Sequence, residues 1–322
     1  MIALCTSMPA VAAGGGGDDG GYYTEEHVYQ SRPNPSREME FECIGTTGIK
    51  ARIYRGVTVT VEGAVPNSPA EGKFKKGQII TAVNGKALKS KNPFVLLGKA
   101  LTAAEARDGK MVFEVRQAKG TTSRKVDLKI PVLGSYSKTW PMKCDKSKAI
   151  TEQAARFYSD KQKFKQSGVP GALGMLFLLS TGEDKYLPRV KEYFAGMVKN
   201  PKGIGEHTWN NGYNGIACAE YYLRTGDKSV LPVLQHFCDD AKERQKFGCS
   251  WTHWGRGVSP GYVASGLMNP AGSQVLTTLL LSKECGVNVD EATLLGALRF
   301  WYRFAGHGTV PYGDHRPEGG LG

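Results

Sequence analysis

The chain has 322 residues, 40% hydrophobic and 22% charged, which suits a folded protein with room for two domains. No run of ~20 apolar residues occurs, so no segment reads as a membrane-spanning helix. The net charge of +12 is concentrated: from Glu71 to Gly168, Lys and Arg outnumber Asp and Glu by 22 to 8. That excess favours acidic partners, while the lack of a nucleic-acid motif and the dominance of lysine speak against DNA or RNA.

Residues 1–21 (MIALCTSMPAVAAGGGGDDGG) carry the small-x-small form of a signal-peptidase site at Ala10-Val11-Ala12. They read as the end of a secretory signal and point to a secreted or periplasmic protein. A low-complexity tail is the other reading. Residues 22–40 are polar, contain Pro33 and Pro35, and read as an extended lead-in. Seven cysteines occur without a C-x-x-C, so a zinc knot is not expected. Cys218, Cys238 and Cys285 lie in apolar helical contexts, where a thiol behaves as a small hydrophobe.

From residue 41 to residue 133 the apolar periodicity is that of strands. Arg52–Tyr54, Val57–Val61, Ile79–Ile80, Met111–Arg116 and Lys125–Ile130 are the predicted strands, and a helix starting at Pro93 interrupts them. Asn84-Gly85 is a hairpin signal, because both residues tolerate φ > 0. The stretch Val65–Leu88 (VPNSPAEGKFKKGQIITAVNGKAL) resembles the central signature of PDZ domains of the bacterial secreted type. The resemblance implies binding of an extended peptide or protein C-terminus by strand addition. The binding loop would be Gly45, Thr46, Thr47, Gly48 and Ile49, whose glycines let successive N–H groups face a carboxylate. The same groove, filled internally, would instead serve as a scaffold.

Residues 134–149 read as a linker, and from residue 150 to residue 322 the period lengthens to about 3.6. Gly171, Leu179, Thr181, Gly182, Leu187 and Pro188 recur 44 residues later as Gly215, Leu223, Thr225, Gly226, Leu231 and Pro232. Each unit is a helix, a glycine stop and a second helix opened by proline. A divergent third unit runs from Ala271 to Phe304, with Leu294, Leu298, Trp301, Tyr302 and Ala305 expected on one face. A period of this length means helical repeats.

The segments HTWNNGYNG (207–215), SWTHWGRG (250–257) and TVPYGDH (309–315) are expected as loops between helices. With them the second half resembles the α/α toroid of terpenoid cyclases, prenyltransferases and polysaccharide-degrading enzymes. The order of PDZ-like module, linker and NGYNG, TGDKSVLP and PYGDH motifs resembles an uncharacterised family of secreted proteins with that pairing. The fold class expected is therefore multidomain α and β. A PDZ-like β-rich domain precedes the helix pairs of a partial α/α toroid.

The three segments supply the candidate site. His207, His253, Tyr312, Asp314 and His315 are the candidate catalytic groups; Trp209, Asn211, Tyr213, Trp254 and Arg256 are the candidate ligand contacts. Aromatic faces stack on sugar rings, and His, Tyr and Arg suit proton abstraction beside a uronate carboxylate. The paired carboxylates of glycoside hydrolysis are not evident, and neither a metal site nor a cofactor is expected. Two functions compete. One is a peptide- or protein-binding scaffold; the other is a carbohydrate lyase or hydrolase, acting on an acidic polysaccharide, with the PDZ-like part as targeting module.

Overall fold

The computed structural model describes residues 42–54, 58–89, 93–253, 267–308, 310 and 312–314. The readings for residues 1–40 and for Trp254, Arg256 and His315 lie outside these. The chain divides into two compact units, Met1–Ala154 and Ala155–Gly322.

The first unit is an antiparallel sheet with one helix against it. Strands β1 (Glu42–Cys43), β2 (Ile49–Tyr54), β3 (Thr58–Ala64), β4 (Ile79–Val83), β6 (Lys110–Arg116) and β7 (Ser123–Lys129) lie in the order β1-β2-β3-β4-β6-β7, with β5 (Lys86–Ala87) paired to β4. Period-two burial drives the sheet: Met111, Phe113 and Val115 of β6 point inward, as do Val126 and Leu128 of β7. Helix α1 (Pro93–Glu105) adds Leu97 and Ala104 to that core. Asn84 and Gly85 take φ of 47° and 75° and turn β4 into β5. The Asn84 Oδ1 accepts the Val112 N–H at 2.8 Å, tying the hairpin to β6.

The predicted linker is shorter than residues 134–149, because helix α2 (Asp145–Ser159) begins within it. Its start folds back on α1. Leu133 and Gly134 donate their N–H groups to the Glu105 carbonyl at 3.0 and 2.9 Å. Lys146, 2% exposed, places Nζ 2.6 Å from Glu105 Oε2, and Thr46 Oγ1 donates to Glu105 Oε1 at 2.9 Å. A lysine is buried here because its charge is paired and hydrogen-bonded.

The second unit is helical: α3 (Gly168–Ser180), α4 (Leu187–Lys199), α5 (Thr208–Thr225), α6 (Leu231–Arg244), α7 (Asn269–Glu284) and α8 (Glu291–Tyr302). Two short strands, β8 (Leu267–Met268) and β9 (Gly313–Asp314), pair at the start of α7. Gly182 and Gly226 take φ of 75° and 69°, just past α3 and α5. The 3₁₀ turns Asp184–Tyr186 and Lys228–Val230 follow, and Pro188 and Pro232 sit in the first turns of α4 and α6. The two repeats therefore match element by element.

Helices α3, α5 and α7 run parallel, side by side. Val169 N donates to Asn210 Oδ1 near one end of the α3–α5 pair, and Arg224 Nη1 donates to the Leu179 carbonyl near the other. Thr278 Oγ1 donates to the Gly212 carbonyl, and Cys285 Sγ to that of Ala219, so α7 follows the same direction. Helix α6 runs back, since Arg244 at its end reaches Thr208 at the start of α5.

Two expectations need correction here. The stretch HTWNNGYNG is not a loop: from Thr208 onward it is the first turns of α5. Its glycines lower helix propensity but allow close packing, for a Cβ at Gly215 would lie 2.2 Å from Thr278 Cγ2. In α8 the inward face is Leu294, Ala297 and Phe300, while Leu298 and Tyr302 are exposed. The divergent third unit also departs in placement. The loop before α8 and its first turn are tied to α6 and its C-cap: Gln235 Nε2 donates to the Asn288 carbonyl and Gln245 Nε2 to that of Thr293.

Candidate functional site

The N-terminal ends of α5 and α7 share one end of the helical layer, and most of the described candidates gather there. His207 precedes α5 and acts as its N-cap, its Nδ1 accepting the Asn210 N–H at 3.4 Å. Histidine is an unusual cap, and the arrangement requires Nδ1 to be unprotonated. One position into the helix, Trp209 stacks on Tyr213 with centroids 6.4 Å apart and planes 10° from parallel. The spacing of four residues puts both rings on one face.

His253 arrives from a different segment. Trp251 is fully buried, donates its indole N–H to the Ala241 carbonyl at 2.8 Å and accepts at its own carbonyl from Met268 N. Thr252 bridges to Leu267. This anchoring delivers His253 edge-on to Trp209, with ring centroids 5.5 Å apart. The Trp209 Nε1–H is buried and has no acceptor among the described residues.

Both imidazoles are held below their usual pKa. For His207 the main cause is burial, with the Arg244 guanidinium second. For His253 it is burial, with His207 second. Both imidazoles therefore favour the neutral state, in which a histidine can accept a proton, and His253 meets the aromatic pair at Trp209.

Beneath them lies a buried polar network. Arg244 donates from Nε to Asp240 Oδ1 at 2.7 Å, from Nη2 to Asp240 Oδ2, and from Nη1 to Thr208 Oγ1 at 2.7 Å. Asn211 Nδ2 donates to Asp240 Oδ2 at 2.8 Å and to the Gly205 carbonyl at 3.0 Å. Asn211 is 4% exposed, so it belongs to this support and not to the ligand face. The i, i+4 spacing of Asp240 and Arg244 was the one sequence trace of it.

Tyr312 is 51% exposed; its carbonyl accepts from Asn269 N, which places it at the start of α7. Asp314 pairs through its backbone with Leu267 at the same helix end. Among the described residues no three His, Cys, Asp or Glu side chains are gathered to hold a metal ion. Among them, too, no helix is long and apolar enough to cross a membrane.

In the first unit the loop Gly45, Thr46, Thr47, Gly48 and Ile49 departs from the expected donor array. Gly45–Thr47 is a 3₁₀ turn with Thr46 and Thr47 buried. Thr47 N donates to the Ile44 carbonyl, Gly48 N to that of Gly45, and Ile49 N to Thr47 Oγ1. These three N–H groups are satisfied within the loop. Alongside it, β1 pairs with β2 at Lys50 and Ala51, where an added strand would begin.

Residues 147–322 match the family model described as "Domain of unknown function (DUF6288)". No curated protein and no solved structure matches the chain.

Proposed function

The chain belongs to the DUF6288 family, and from its geometry we propose that the helical unit is an enzyme domain that cleaves an acidic polysaccharide by elimination. The observation that carries this reading is the ring contact of His253, an imidazole held below its usual pKa with His207 near it, on the Trp209–Tyr213 stack. Aromatic faces hold a sugar ring, and a neutral imidazole accepts the proton beside a uronate carboxylate. In that step the imidazole takes the C5 proton, the C5–H pair forms the C4=C5 double bond, and the C4–O bond breaks with its pair on the glycosidic oxygen, which takes a proton from water. Hydrolysis by two carboxylates is less well served, because Asp240 is committed to Arg244 and Asn211.

On this reading α3, α5 and α7 are inner helices of a toroid sector, and the site lies at their N-terminal ends. The sheet unit is a PDZ-like module whose loop donors are internally occupied, which favours a docking or structural role over capture of free peptides. Secreted or periplasmic placement rests on Ala10-Val11-Ala12 and suits a polymeric substrate. Incubation of the full chain with polygalacturonate, followed by the ultraviolet absorbance of the unsaturated product, tests the reaction. Absorbance that stays flat on polyuronates of several linkages would contradict it.

A further inference from the structure

A second feature lies at the same end of the helical layer, one helix away. A cleft of about 620 Å³ opens between the segment leading into α3 and one face of α4, lined by Lys161, Lys165, Ser167, Arg189, Tyr193 and Met197. Its charge is unbalanced. Lys161 pairs with Glu192, and Arg189 Nη1 lies 3.7 Å from the same carboxylate. Lys165 is exposed and makes no ion pair among the described residues. Arg189 is the deepest cation, with a side chain 11% exposed and Nη2 donating to the Phe164 carbonyl at 3.3 Å. Its Nε–H is buried and has no acceptor among the described residues. That Nε–H is closed to solvent, so an anion in the cleft would meet the exposed Lys165 and the part of the Arg189 side chain that lines it.

The cleft and the aromatic–imidazole cluster share a wall. Asn210 donates its backbone N–H to His207 Nδ1 and accepts the Val169 N–H on Oδ1 at 3.2 Å. Tyr193, which lines the cleft, donates to Asn214 Oδ1 at 2.9 Å. The first turns of α5 thus separate the two features.

We propose that this cleft is an anion-binding subsite that holds a carboxylate-bearing sugar of the same polymer, several sugars along from the ring that stacks on Trp209. Lys165 and Arg189 take the carboxylate, and Met197 and the Tyr193 ring take the apolar face of the sugar. The inference rests on the polyuronate reading above.

Gly196 supplies a clean test. It lines the cleft from helix α4, and a Cβ added there meets nothing within 4 Å. Gly196→Leu should therefore fill the cleft while favouring the helix. Lys165→Glu removes the exposed cation. Calorimetric titration of the full chain would use oligogalacturonate, its carboxyl-reduced counterpart and inorganic sulfate. The expected result is binding of the uronide that weakens about tenfold in each variant, with melting temperatures not lowered and little binding of the reduced sugar. Unchanged uronide affinity in both variants overturns the subsite. So does sulfate binding as tightly as the uronide, which would mark a free-anion site. The two readings separate cleanly. Turnover that persists with unaffected cleft variants sinks only the subsite. Cleft-dependent uronide binding without any turnover in the unmodified chain sinks only the elimination.

Discussion

The imidazole of His253 meets the indole of Trp209 edge-on, with ring centroids 5.5 Å apart and planes at 66°. The two side chains come from separate segments, and each is set in place by its own anchor. Trp209 is fixed in the first turn of α5, and His253 follows the buried Trp251. Neither anchor depends on a ligand, so the contact is a property of the folded unit.

This contact sets a pH dependence. His207 and His253 both sit below the usual imidazole value of 6.5 in the folded chain. Protonation is thus easier in the unfolded chain. Stability is fully present above 6.5 and is lost as pH falls towards the depressed folded values. Protonation of His207 Nδ1 also removes the cap on Asn210 N. Thermal melts from about pH 7.5 to about pH 5.5 should show a falling midpoint. The fall should be shallower in His253→Gln and in His207→Asn, whose side chain still caps the helix.

The repeat makes a prediction about backbone. Gly226 ends α5 at φ 69° and contacts nothing a Cβ would strike. Gly226→Ala should cost ~1 kcal/mol, from the conformation alone. Gly215→Ala should cost more, about 1–3 kcal/mol, because its Cβ would press Thr278 between two packed helices. Denaturant titration of both variants checks the order.

Removal of Asp240 should be the most damaging change beneath the site. Arg244 is buried and would keep its charge without a carboxylate. Asp240→Ala should cost ~3–5 kcal/mol, whereas an exposed pair such as Lys185–Glu183 should change little when broken. Chemical denaturation of the two variants makes the comparison.

The sequence missed the two-residue strands β1, β5, β8 and β9 but carried the five longer strands, α1, the Asn84-Gly85 turn and the repeat. These depend on period-two or period-3.6 patterns and on glycine and proline at fixed places. It misplaced Asn211 and Tyr213 in a loop because Asn and Gly signal turns. Here side-chain hydrogen bonds and tight α5–α7 packing outweigh that local preference. At Gly45 the sequence points to an open donor array, because glycines do not show where N–H groups are spent. His207 and His253 were legible as residues but not as neighbours, since the turn through Trp251 that joins them has no sequence signature. The Arg189 cleft left only the lysine alternation of KQKFK as a trace.

The most direct test of the proposed chemistry compares His253→Gln with Trp209→Ala, each as the full chain, for binding and turnover of oligogalacturonate. His253→Gln should bind within about threefold of the unmodified protein but turn over at least ~100-fold more slowly, since it lacks the proton acceptor. Trp209→Ala should lose binding instead, because it lacks the stacking face. If both variants bind and cleave the uronide like the unmodified chain, the aromatic–imidazole cluster is not the site and the account fails.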